Sequence, residues 1–212
     1  MTTFYLVRHG TTAWVDQQKL HGITDIPLND NGLRQAAKTA EAIKGVPAKH
    51  LLSSPLSRAM QTAEIIGRAA SLTPEARRGL IEIDFGWKEG KKTLDDTDPS
   101  IPPIVEKLDH YWLCLIRLVS GESQGHFKER IRREWDAIRS YAGGENTIIV
   151  AHAGVLGVIL EACFGDAYRG NYSYYVTYPG SISEIEVGTE GQYKLVRLND
   201  YSHLKEWYPN GN

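Results

Sequence analysis

A chain of 212 residues suits one sizeable domain with room for a small appended subdomain, and 42% apolar residues are enough for a buried core. A formal net charge of −2 with no long Lys/Arg run gives no basis for a nucleic-acid or membrane partner. The two cysteines, Cys114 and Cys163, lie in apolar helical stretches outside any CxxC pair and read as buried free thiols of a reducing compartment.

Met1 leads straight into an apolar strand, without the basic, apolar and cleavage regions of a secretory leader. No apolar run reaches the length of a membrane span. The expectation is a cytoplasmic protein. Phe4 to Val7 is a β-rich run that feeds the loop Arg8-His9-Gly10. Residues 11–30 are polar and rich in turn signals. Leu33 to Ile43 has helical spacing, with Leu33, Ala36, Ala37, Ala40 and Ile43 on one side, and Gly45 and Pro47 end it. His50 to Ser53 reads as a second strand, Pro55 opens a helix that runs to Ala70, and Arg78 to Ile83 reads as a third strand.

Residues 88–103 are dominated by Lys, Asp, Thr and Pro and read as loop. A helix is predicted over 104–119 and another from Ser123, its N-cap, to Ala142, with Phe127, Ile131, Trp135 and Ile138 on one apolar face. Thr147 to Ala151 is a continuous apolar strand of a sheet centre, followed by His152-Ala153-Gly154 and a helix from Val155. Ile182 to Val187 and Tyr193 to Leu198 form a final hairpin, which makes one sheet edge mixed. Alternating helices and strands imply a three-layer α/β/α sandwich with a mainly parallel sheet. Residues 1–212 read as one domain, with 88–128 as a helical lid subdomain.

In such sheets ligands bind beyond the carboxyl ends of the strands. His9, Glu82 and His152 each end a predicted strand, and Arg58 lies in the first turns of the helix after the second. A neutral imidazole is a competent nucleophile. The forks of Arg8 and Arg58 match phosphate oxygens, and Gly10 lets a ligand approach the backbone. A carboxylate beside a bound phosphate is expected to have a raised pKa and to serve as acid and base. No HExxH or Cys/His cluster calls for a metal.

The ordered set Leu6-Val7-Arg8-His9-Gly10, Gly22, Asp25-Ile26-Pro27-Leu28, Ser53-Ser54-Pro55-Leu56-Ser57-Arg58-Ala59, Gln61-Thr62-Ala63, Glu82, Phe85-Gly86, Gly121-Glu122-Ser123, Arg130 and Val150-Ala151-His152-Ala153-Gly154 resembles the histidine phosphatase superfamily over nearly the whole chain. The resemblance implies a phosphohistidine on His9 and a phosphate pocket of Arg8, Arg58 and His152. It also implies Glu82 as proton donor, with no cofactor and no metal. Gly10, His21, Ala153 and Trp87 are expected to line the substrate, a small phosphorylated metabolite. Tyr111, Trp112 and His126 are expected to reach the leaving group, and Lys91 and Lys92 to attract anions.

Mutases of this family follow the catalytic Glu with Arg-His-Tyr-Gly. Here Ile83-Asp84-Phe85-Gly86 follows, and with Glu89-Gly90 it resembles the phosphatase branch of α-ribazole and broad-specificity phosphatases. Phosphomonoester hydrolysis is the leading expectation. Phosphoglycerate mutase and a non-catalytic phosphate-binding protein are the alternatives. Val15 stands where many relatives place Asn, Thr11 where they place Glu and His21 where Gln is common, and Trp87 is displaced from Glu89-Gly90. A cobalamin-precursor phosphate, a sugar phosphate and a small aromatic phosphate all fit this pattern.

Overall fold

A computed structural model describes residues 1–92, 121–165 and 177–209. The frame is a six-stranded sheet of order β3-β2-β4-β1-β5-β6. Its strands are β1 (Thr2–Arg8), β2 (His50–Ser53), β3 (Glu75–Ala76), β4 (Thr147–Ala151), β5 (Ile182–Val187) and β6 (Tyr193–Asp200). β3, β2, β4 and β1 run parallel, whereas β5 and β6 form the antiparallel edge. The final hairpin and the mixed edge are therefore present.

Strand alternation explains the three layers, because successive side chains leave opposite faces. Tyr5, Val7, Leu51, Ile148 and Val150 pack with α2 (Asp30–Ile43) and α3 (Ser57–Ala70) on one face. Phe4, Leu6, Leu52, Ile149 and Ala151 pack with α4 (Gln124–Ala142) and α5 (Ala153–Phe164) on the other. Ser123 caps α4 by accepting the His126 N–H at 3.2 Å. Phe127, Ile131, Trp135 and Ile138 form its buried face, as the spacing predicted.

Four sequence expectations need correction. The run Arg78 to Ile83 is not a strand. β2 ends at Ser53, so β3 finds a partner only over Glu75 and Ala76, and the chain then turns through a 3-10 segment at Arg78–Leu80. Its carbonyls bond a side chain instead: the Arg130 guanidinium donates to Gly79 O, Ile81 O and Glu82 O at 2.8, 2.9 and 3.4 Å. The helix after β2 starts at Ser57, two residues beyond Pro55. α2 starts at Asp30, and its buried face includes Gln35 and Thr39 while Leu33 and Ala37 face solvent. Within 11–30 a short helix, α1 (Ala13–Asp16), forms under a Thr12 cap.

The lid reading falls largely on residues 93–120, which lie outside the described residues together with the predicted 104–119 helix, Tyr111, Trp112 and Cys114. Residues 88–92 and 121–128 belong to the main body: Leu20 N–H donates to Lys91 O at 2.8 Å, and Phe127 is in the core. Cys163 is a half-buried free thiol, and burial pushes its pKa up to about 12. No helix among the described residues is long and apolar enough to cross a membrane.

Trp135 is buried and meets Phe4 of β1 edge-on at 4.7 Å, joining α4 to the sheet. Trp135→Ala is expected to lower the unfolding free energy by about 3–5 kcal/mol in urea titration, and a loss under about 1 kcal/mol would contradict this packing role.

Candidate active site

Three parallel strands end side by side, and each delivers a polar residue to the same edge. His9 follows β1, where its N–H extends the ladder to Ala151 O at 3.0 Å. Ser54 follows β2 and its N–H bonds Val150 O at 3.0 Å. His152 follows β4 and is the N-cap of α5. The His9 and His152 rings lie 5.0 Å apart.

His9 is buried, and its Nδ1 lies 2.7 Å from Gly10 O. A carbonyl only accepts, so Nδ1 carries the proton and the neutral ring keeps its free lone pair on Nε2. Burial, aided by the charges of Arg58 and Arg8, holds the His9 pKa well below the ordinary 6.5. Gly10 has a structural reason to lack a side chain, since a Cβ there would sit 2.5 Å from Gly32 O. The close approach is to Gly32 of α2. Gly10 N–H donates to Thr62 Oγ1 at 3.2 Å, which ties the loop to α3.

Arg58, the second residue of α3, is fully buried. Its Nε donates to His152 Nδ1 at 3.2 Å, Nη1 to Thr24 O at 3.0 Å and Nη2 to Gly22 O at 2.6 Å. A guanidinium has five N–H groups, so two remain for an anion. Burial lowers the Arg58 pKa to about 10, which leaves it charged at neutral pH. Because Nδ1 of His152 accepts from Arg58, its proton resides on Nε2, which donates to Ser54 Oγ at 2.8 Å. Burial, then the charges of Arg58 and His9, hold the His152 pKa well below 6.5. Arg8 bonds Thr177 O through Nη1, and its Nε is buried without a partner among the described residues.

Glu82 is buried on the loop after the 3-10 turn, not at a strand end. Its Oε1 accepts from Ile83 N–H and its Oε2 from Gly154 N–H, each at 3.0 Å. Gly154 makes this possible, since a Cβ there would meet Oε1 at 2.5 Å. Burial raises the Glu82 pKa above its ordinary 4.5, outweighing these hydrogen bonds and the attraction of Arg58 and Arg8. The arrangement pairs a neutral imidazole with a carboxyl group of raised pKa under two guanidinium charges, a set suited to nucleophilic displacement at an anionic centre.

A cavity of about 380 Å³ opens beside Glu82, lined by Ile23, Arg78, Asp84, Glu122 and His126 among others. Glu122 is neutralised there by Arg130, at 3.0 and 2.7 Å. Arg78 makes no ion pair among the described residues.

The structure thus brings Arg8, His9, Arg58, Glu82 and His152 together. His21 joins them, its ring 6.2 Å from His9. Ala153 is the first residue of α5, beside His152. Trp87 is 40% exposed with Lys91 Nζ 3.9 Å above its ring, and its described contacts reach none of the five. Sequence reasoning missed the supports. Glu89 accepts from Ile23 N–H at 2.8 Å, Thr24 N–H at 2.7 Å, Phe85 N–H at 3.1 Å and the Thr24 hydroxyl, pinning the loop whose carbonyls hold Arg58. Asp25 accepts from the Ser57 N–H and hydroxyl at 2.7 Å each, capping α3 from a distance. Both carboxylates stood in quoted motifs, yet only their contacts give them these roles. Among the described residues no cluster of three His, Cys, Asp or Glu side chains is spaced to hold a metal.

The buried histidines bind fewer protons folded than unfolded below pH 6.5, so their contribution is full above that value and is lost as pH falls. Glu82 acts oppositely, favouring the fold at low pH and losing that contribution as pH rises through its raised pKa. The histidines outnumber it. Stability in urea is expected to fall from pH 7 to 5.5 by on the order of 1 kcal/mol for each of His9 and His152. His9→Asn flattens this slope, and an unchanged slope would count against a neutral His9.

Comparison with known proteins agrees with this geometry. The sequence profile of the histidine phosphatase superfamily (branch 1) matches residues 4–201. A Yersinia pestis protein named probable phosphoglycerate mutase GpmB is 30% identical over 172 residues, covering 78% of this chain and 76% of that one. YhfR of Bacillus stearothermophilus superposes with a TM-score of 0.76 at 28% identity, over 96% of this chain and 99% of that one. The α-ribazole phosphatase of Shigella flexneri superposes at 0.73 and 24% identity, over 94% and 96%, a likeness of fold.

Proposed function

We propose that this chain, which belongs to the histidine phosphatase superfamily, is a phosphomonoesterase that hydrolyses a small phosphorylated metabolite through a phosphohistidine on His9. One observation carries the reading: His9 is held neutral with Nε2 free, while burial raises the pKa of Glu82 beside the same two arginines. Each shift is in the sense its step requires, and environments that push two pKa values in opposite senses point to nucleophile and acid.

In the first step His9 Nε2 forms a bond to phosphorus, the ester P–O bond breaks, and Glu82 gives its proton to the departing oxygen. In the second, the Glu82 carboxylate takes a proton from water as that water attacks the phosphohistidine, which releases phosphate and restores His9. Arg8 and Arg58 meet the charge spread over the phosphoryl oxygens, so their contribution is electrostatic, whereas the His152 Nε2–H reaches a phosphoryl oxygen only by giving up Ser54 Oγ. The cavity beside Glu82 offers the leaving group its place and water a route in. Asp84 on its wall disfavours a second acidic terminus. No metal is needed, because the arginines already supply the positive charge.

Phosphate release from p-nitrophenyl phosphate in EDTA tests the reading. Wild type is expected to turn over, and His9→Ala to lose about 1000-fold or more in kcat. Wild-type rates in His9→Ala would overturn it. Glu82→Gln is expected to lose about 100- to 10,000-fold with alkyl phosphates and much less with p-nitrophenyl phosphate, whose leaving oxygen needs little protonation. Equal losses with both would remove Glu82 from the role of acid. Mutase transfer is the second reading, favoured by the 30% identity to the Yersinia pestis protein. Bisphosphate-primed interconversion of 2- and 3-phosphoglycerate faster than phosphate release would establish it instead.

A further inference from the structure

His21 holds a ring nitrogen that the steps above do not use. Its Nε2 is shielded from solvent and has no hydrogen-bond partner among the described residues. An unsatisfied buried polar group costs about 1–3 kcal/mol, so a native fold that keeps one calls for an explanation.

The other ring nitrogen shows what Nε2 is. His21 Nδ1 lies 3.3 Å from Thr12 Oγ1. That hydroxyl already accepts the Val15 N–H at 3.2 Å as the cap of α1. One of its two lone pairs is thus engaged on the backbone, and among the described residues its buried hydrogen finds no acceptor other than the imidazole. Nδ1 then accepts, and a neutral ring must carry its proton on Nε2. Burial, then the charge of Arg58, lowers the His21 pKa to about 3 against the pull of Glu89 and Asp25, which keeps the ring neutral. The ring is also held in place: Trp14 packs against it at 5.6 Å, tilted by 52°. It stands edge-to-face with His9 at 6.2 Å. The ring that carries this N–H thus lies next to the ring of the nucleophile.

We propose that Thr12 is a positioning residue, which by donating to His21 Nδ1 fixes the Nε2–H tautomer and so makes His21 a hydrogen-bond donor to the phosphoryl group that His9 accepts. The proposal rests on the phosphotransfer reading given above. It gives the orphan nitrogen a partner, namely a phosphoryl oxygen. It also gives the Thr12 hydroxyl two tasks, capping α1 with its lone pair and setting the His21 tautomer with its proton. A glutamine at position 21 would donate through its own amide whatever Thr12 did, so the two tasks can be separated.

The test is a double-mutant cycle on the full chain with p-nitrophenyl phosphate, together with nitrogen NMR of the histidine rings. Thr12→Val is expected to lower kcat/KM about 10-fold or more, and Thr12→Ser to restore it to within about 3-fold. In the His21→Gln background the same Thr12→Val change is expected to cost less than about 3-fold. Equal losses in both backgrounds would assign Thr12 to capping alone and overturn the proposal. The ring spectrum stands apart from turnover. His21 is expected as the Nε2–H tautomer in wild type, as a mixture in Thr12→Val, and with a shifted Nε2 resonance when inorganic phosphate is added. An Nδ1–H tautomer, or no response to phosphate, overturns the proposal even in an active enzyme. The expected spectrum in a protein that hydrolyses nothing would sink the phosphatase reading and leave the donor assignment standing.

Discussion

The buried guanidinium of Arg58 is the constraint around which the site is organised. A full charge taken out of water costs several kcal/mol unless its donors are met. Here they are met by an imidazole nitrogen and two backbone carbonyls. Each partner then becomes fixed. Accepting from Arg58 sets the tautomer of His152. Offering Gly22 O and Thr24 O requires the 22–24 loop to fold over α3, and Glu89 holds it there by collecting that loop's N–H groups. The arginine's remaining donors stay unspent, so the cost of burial is offset in a way that leaves a positive site for an anion.

A second arginine builds the opposite wall by a different route. Arg130 is paired with Glu122 and carries no surplus charge toward a ligand. Its work is to gather the carbonyls of residues 79, 81 and 82, where the backbone has left the sheet. That brings Glu82 to the mouth of α5, where Gly154 N–H receives it. Helix N-termini favour carboxylate, yet desolvation is the larger effect here and raises the pKa of the acid. One arginine therefore supplies charge to the reaction and the other supplies position to the acid.

Much of this was legible in the sequence because it is periodic or local. The apolar runs at β1 and β4 and the Phe127–Ile131–Trp135–Ile138 stripe follow from strand and helix periods alone. Arg8, His9 and His152 were legible because strand ends collect ligands in parallel sheets, whereas Arg58 on a helix and Glu82 on a loop were legible through the family resemblance. The third strand failed because strand propensity in Arg78–Ile83 does not reveal that β2 stops at Ser53 and offers no further partner. The reading of Leu33 failed because Gln35 and Thr39 are polar by type, yet are buried through bonds to Thr11 N–H and Gly180 O. Glu89 and Asp25 act on backbone groups far along the chain, and no spacing rule reports such contacts. Gly10 was read as a ligand's approach, while the steric demand comes from Gly32.

The central claim, that His9 carries the phosphoryl group during turnover, is tested most directly by trapping it. Enzyme mixed with radiolabelled phosphomonoester and quenched in alkali within the first turnovers should hold label in an acid-labile, alkali-stable bond, mapped by peptide sequencing to His9. Steady turnover with no protein-bound label, or label on another residue, would contradict the account.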